Sequence, residues 1–134
     1  MADTVAFQLV SPERLVLARD AAMVVVPGAE GDFGVLPEHA PLISTVRPGV
    51  IEVYEGNQVT DRVFVAGGFA EVSANHCIVL AEEAVPVGEL DRAAIEARIR
   101  SAEQAIEDAE TDTDRGRAES EVVVARAMLE FAGS

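Results

Sequence analysis

The chain has 134 residues, 49% of them hydrophobic, with 24 acidic against 10 basic side chains and a formal net charge of −14. This is enough apolar material for a real core, so disorder is excluded for most of the chain. A nucleic-acid binder is excluded too, because phosphate recognition starts from a basic patch and none is present.

From Thr4 to about Val85 the sequence reads as short β-rich runs separated by turn residues, the pattern of a sandwich or barrel. The predicted strands are Thr4–Val10, Arg14–Ala18, Ala21–Val26, Leu42–Val46, Val50–Tyr54, Val59–Ala66, Phe69–Ser73 and Cys77–Ala81. Between them stand Ser11-Pro12, Pro27-Gly28, Pro48-Gly49, Glu55-Gly56-Asn57, Gly67-Gly68 and Ala74-Asn75, each suited to a turn through fixed or positive φ. In Val50–Tyr54, Ile51 and Val53 share one face and Glu52 and Tyr54 the other, as a half-buried strand requires. One wet and one dry face suits antiparallel sheets, and no helical period falls between any two runs, which disfavours an α/β fold.

The character changes at Pro86-Val87-Gly88, where β-branched residues give way to Ala, Glu and Arg. The expected division is an all-β domain over residues 1–86 and a helical domain over 87–134. Ile95, Ile99, Ala102, Ile106 and Ala109 fall at steps of four, three, four and three, one apolar stripe on a helix, and Ala118, Val122, Ala125, Leu129 and Ala132 repeat those steps. The polar stretch from Glu110 to Asp114 is rich in N-cap residues, so a second helix is expected from near Arg115, folding back on the first. Stripes that are half Ala bury little area, so the hairpin should depend on docking, either as a permanently packed tail or as a movable element.

No constellation for catalysis emerges. Gly31-Asp-Phe-Gly34 and Gly67-Gly68 lack the spacing and following helix of a phosphate or dinucleotide loop. His39 and His76 lie apart, without a partner at metal spacing. Glu82 and Glu83 are adjacent, so on a strand they point to opposite faces and cannot share a substrate. Cys77, the single cysteine, sits in an apolar run and reads as a small core hydrophobe in a reduced, cytoplasmic compartment. No leader and no run long enough to span a bilayer is evident, so a soluble protein that reaches any membrane through a partner is expected. What remains is Glu30–Pro41, twelve residues with two Gly and two Pro around Phe33, read as a long functional loop for protein contact.

At this stretch the sequence resembles the ε subunit family of F-type ATP synthases, counterpart of the mitochondrial δ subunit. The family's signature appears as Gly31-Asp32-Phe33-Gly34-Val35-Leu36-Pro37-Glu38-His39-Ala40-Pro41-Leu42. Arg47-Pro48-Gly49, then Val65-Ala66-Gly67-Gly68-Phe69-Ala70-Glu71-Val72, then Val79-Leu80-Ala81-Glu82-Glu83-Ala84 follow in family order. The resemblance implies a flattened β-sandwich of about ten strands followed by an antiparallel two-helix hairpin, two strands more than those read above. It implies a non-catalytic central-stalk subunit, docked to γ and to the c-ring of the membrane sector, that passes rotation to ATP synthesis. It implies a peripheral position on the cytoplasmic face of the inner (plasma) membrane and no cofactor.

The residues matching the family's contact loop are Glu30, Gly31, Asp32 and Phe33, with His39 close by, and Asp32 is the expected partner of basic ring loops. Glu38 stands where the family usually has Gly, which suggests a loop that does not need positive φ there. Many bacterial relatives carry a Leu-Asp-x-x-Arg-Ala motif associated with ATP. Here Leu90-Asp91 is followed by Arg92, Ala93, Ala94 and Ile95, so Asp91 remains while Arg92 or Arg98 would have to substitute, and nucleotide binding is not expected. In relatives whose hairpin inhibits hydrolysis, bases of the second helix meet an acidic segment of the β subunit, one of the α/β contacts open to the hairpin. Arg115, Arg117 and Arg126 are offset here by Glu119, Glu121 and Glu130, so poor inhibition is expected. The competing readings are an ATP-sensing inhibitory subunit and, remotely, an unassigned ligand-binding sandwich.

Overall fold

The computed structural model describes residues 3–133. Ten strands occupy the first of two compact units, Met1–Pro86, and two helices the second, Val87–Ser134. The strands are β1 (Val5–Val10), β2 (Leu15–Ala21), β3 (Met23–Gly28), β4 (Gly31–Val35), β5 (Leu42–Val46), β6 (Gly49–Glu55), β7 (Gln58–Val65), β8 (Gly68–Val72), β9 (His76–Ala81) and β10 (Ala84–Pro86).

They hydrogen-bond in the order β10-β7-β6-β3-β5-β8-β9-β1-β2, with β4 pairing β3 off that path. Every pairing is antiparallel except β1 with β9. The path folds over on itself as a sandwich: Arg19 on β2, at one end, meets Asp61 on β7, near the other, at 3.2 Å. Alternation places the core between the layers. Val5, Phe7 and Leu9 of β1, Ile51 and Val53 of β6, and Cys77 and Val79 of β9 are all fully buried at every second position. Burial pushes the Cys77 thiol from 9.0 up to about 12, so it packs as an apolar group.

The two strands that periodicity misses are β4 and β10. Residues read as one loop, Glu30–Pro41, begin with a strand: Gly31–Val35 pairs with β3 from Gly28↔Gly31 to Val24↔Val35. Two glycines in five residues hide its alternation, and pairing with β3 overrides their low propensity. Pro27-Gly28, read as a turn, is instead the end of β3, and the turn is Ala29-Glu30.

In the second unit a 3-10 turn (Val87–Glu89) leads to α1 (Arg92–Asp108) and α2 (Asp112–Phe131). Asp91 caps α1 by accepting from the Ala93 amide, and Thr111 caps α2 by accepting from the Asp114 amide. The Thr111 cap starts α2 at Asp112, three residues before the expected Arg115, so Asp112 and Asp114 join its acids. Ile95 and Ala102 of α1 and Ala118, Val122, Ala125 and Met128 of α2 are buried. The stripe holds, with Met128 rather than Leu129 the more buried residue of the last turn. Arg98 to Glu121, a pair drawn close together, and Arg126 to Glu103 at 3.2 Å join the helices.

Candidate docking site

Two features of the sandwich stand out as places where another protein could bind. The first is apolar. On the outer face of the strands β5, β8 and β9, Ile43 is 75% exposed, Phe69 58% and Leu80 55%. Ladder pairing sets Thr45 opposite Phe69, Phe69 opposite Leu80, and Leu80 opposite Val10, while Ile43 lies one diagonal away. Phe69 and Leu80 wall an open groove of about 440 Å³ with Val10, Pro12 and Ala81. Single exposed apolar residues are ordinary, but contiguous ones on the middle of a sheet mark a surface meant to be covered.

The second is the acidic turn between β3 and β4. Gly31 takes φ 136° there, a conformation that side chains rarely adopt, so the tight connection needs glycine. Gly28 is needed for a different reason: a Cβ on it would sit 2.7 Å from the Gly31 carbonyl and 2.9 Å from the Phe33 ring. Phe33 packs half-buried against the sandwich core and supports the turn from below. Glu30 and Asp32 are exposed at the surface.

Arg47, between β5 and β6, holds this turn. Its guanidinium donates from Nη1 to the Gly28 carbonyl and from Nη2 to Asp32 Oδ1, each at 2.5 Å. The backbone does the same on either side of the Gly28↔Val46 bridge: the Ala29 amide donates to the Thr45 carbonyl and the Arg47 amide to the Pro27 carbonyl, both at 2.9 Å. Sequence reasoning had Arg47 only as part of a signature. Its role depends on a ladder register between segments 15 residues or more apart, for which no local pattern exists.

The segment after β4 is tied down as well. The Glu38 amide donates to the Ala74 carbonyl at 2.6 Å, and the half-buried His39 has Nδ1 2.7 Å from the Ala40 carbonyl. Glu38 has φ 66°, which corrects the expectation of a loop without positive φ: the glycine-type conformation is kept although the residue is Glu. The tether to Ala74 holds it there.

The residues weighed for nucleotide are dispersed in use. The Asp91 carboxylate is the α1 cap, Arg92 is exposed at the first turn, and Arg98 turns to Glu121 and the Met128 sulfur on α2. Arg98 lies seven positions after Asp91, roughly 10 Å along the helix axis. Among the described residues no group of three His, Cys, Asp or Glu side chains is arranged to hold a metal ion.

The family described as "ATP synthase, Delta/Epsilon chain, beta-sandwich domain" matches residues 4–87. The chain is 54% identical over 128 residues to the ATP synthase epsilon chain of Paramagnetospirillum magneticum, covering 96% of each. It is 52% identical over 139 residues to that of Rhodospirillum centenum, covering 100% of this chain and 95% of the relative. Among solved structures, a chain of the Euglena gracilis mitochondrial ATP synthase (OSCP/F1/c-ring) superposes with a TM-score of 0.78 at 24% identity, over 96% of this chain and 81% of that one. A chain of the Tetrahymena thermophila mitochondrial ATP synthase central stalk and c-ring does so with a TM-score of 0.65 at 16% identity, over 94% of each. At those identities the likeness is one of fold.

Proposed function

The chain belongs to the ATP synthase delta/epsilon family, and from that premise we propose that its sandwich docks onto the γ subunit and the c-ring and couples proton-driven rotation to ATP synthesis. It is a non-catalytic subunit of the ATP synthase complex. The observation that carries the docking reading is the exposed apolar face of Ile43, Phe69 and Leu80 on a sheet whose other face is buried in the core. Covering such a face is favourable by about 25 cal/mol per Å² of apolar area, and it suits a stalk partner presenting apolar side chains. The acidic turn at Glu30 suits the second contact, with basic loops of a ring. Among the described residues no helix is long and apolar enough to cross a membrane, and membrane association on this reading runs through the complex, on the cytoplasmic face of the inner membrane.

The test is binding of the purified chain to purified γ. Phe69→Glu or Leu80→Glu should weaken it by about a hundredfold, since each buries a charge in the contact, while the circular dichroism spectrum stays unchanged. Binding that survives both substitutions would contradict the assignment of this face.

The hairpin supports weak regulation at most. α2 carries Arg115, Arg117 and Arg126 against Asp112, Asp114, Glu119, Glu121 and Glu130, so an acidic partner segment repels it. Asp91 serves as a helix cap and Arg98 is held by Glu121, which speaks against a nucleotide site built on these side chains.

A further inference from the structure

We infer that Arg47 is a positioning residue for docking: it clasps Asp32 and the Gly28 carbonyl so that the β3–β4 turn presents Glu30 as the acid that meets a basic partner loop. The inference rests on the docking reading above and assigns roles within that contact.

Of the two acids at the turn, Asp32 already has a cation. Its Oδ1 accepts from Arg47 Nη2 at 2.5 Å, and the other arm of the same guanidinium holds the Gly28 carbonyl at the same distance. A carboxylate so engaged offers an incoming base little, because binding would have to replace one ion pair with another. Glu30 differs. It sits at the tip, exposed, and among the described residues its side chain has neither hydrogen bond nor ion pair.

The planar fork of Arg47 is what allows one side chain to fasten a backbone carbonyl and a carboxylate together, and Lys could not hold both in that geometry. Its two acceptors lie on opposite sides of the Ala29-Glu30 turn, at Gly28 and Asp32. The clasp therefore fixes the direction in which Glu30 leaves the sheet. Glu30 supplies the charge and Arg47 its placement.

The test uses the full chain in two settings. In vesicles carrying the reconstituted ATP synthase, ATP-driven proton pumping is titrated against the concentration of added chain. Asp32→Ala and Arg47→Ala should each raise the concentration needed by about threefold, and the double variant should be no worse than either, as expected when two residues form one unit. Asp32→Asn, which keeps an acceptor for Arg47 and loses the charge, should stay within twofold of the parent. Glu30→Gln should raise the requirement about threefold and flatten its dependence on salt. In the free chain, amide exchange at Glu30 and Gly31 should quicken about fivefold in Arg47→Ala and stay unchanged in Glu30→Gln. Asp32→Asn as damaging as Asp32→Ala, or additive losses in the double variant, would overturn the inference, since Asp32 would then meet the partner itself. Unaltered exchange in Arg47→Ala would overturn the clasp. If even the parent chain restores no pumping, the docking reading fails while the exchange data still decide the role of Arg47.

Discussion

The sandwich and the hairpin reach order by different means. The sandwich buries Phe7, Phe64, Leu9, Ile51 and many Val residues completely, each contributing roughly 1.5–3 kcal/mol on removal from water. The hairpin buries three Ala inside its helices beside Ile95, Val122 and Met128, and adds Arg98–Glu121 and Arg126–Glu103 across the helices. Ala contributes little area, and partly exposed ion pairs are worth about 0–1 kcal/mol each. The sandwich is thus the rigid part on which docking surfaces can be held. The hairpin buries less apolar area and leans more on its caps and ion pairs.

Four substitutions or conditions probe that contrast. The largest effect belongs to the sandwich core. Phe7→Ala should cost about 3–5 kcal/mol in urea unfolding of the sandwich, and a loss below 1 kcal/mol would mean the core is not what orders it. Alkaline pH comes next. The Cys77 thiol is raised from 9.0 to about 12 by burial, so it stays protonated in the fold while the unfolded chain ionises. Stability contributed by the neutral thiol is complete below pH 9 and should fall by about 1.4 kcal/mol per pH unit on the way to 12. Cys77→Ala should lose that slope, measured as unfolding free energy against pH.

In the hairpin, Arg98→Ala should cost about 1 kcal/mol, seen as faster amide exchange in α1 and α2 with β1 and β9 unchanged. Equal acceleration in the strands would erase the distinction between the units. The smallest effect is a gain: Glu38→Gly relieves the φ of 66° and should raise the unfolding midpoint by about 0.5–1 kcal/mol equivalent.

Much of this architecture is legible in the sequence where a residue's role is local. Ile51 and Val53 announce their face by alternation, and Ile95 and Ala102 by helical steps. Gly31–Val35 does not, because its two glycines carry no face and only pairing with β3 makes it a strand. Thr111 caps α2 earlier than expected because several neighbouring residues could have capped it, and only the backbone chooses. Glu38 shows that a conformation usually left to Gly can be imposed on another residue by a tether at Ala74. At the candidate site, the acids of the turn are visible in sequence, but the division between an engaged Asp32 and an exposed Glu30 is not. It arises from Arg47, which a distant ladder register brings to the turn.

On the proposed reading the sandwich carries the coupling function and the hairpin adds little to it. A chain ending at Pro86 should therefore be compared with the full chain in reconstituted vesicles, for both ATP-driven proton pumping and the rate of ATP hydrolysis. Pumping should be retained and hydrolysis should change by less than about twofold, since α2 has no net positive charge to hold an acidic partner. Loss of pumping, or a several-fold rise in hydrolysis on removal of residues 87–134, would contradict that reading.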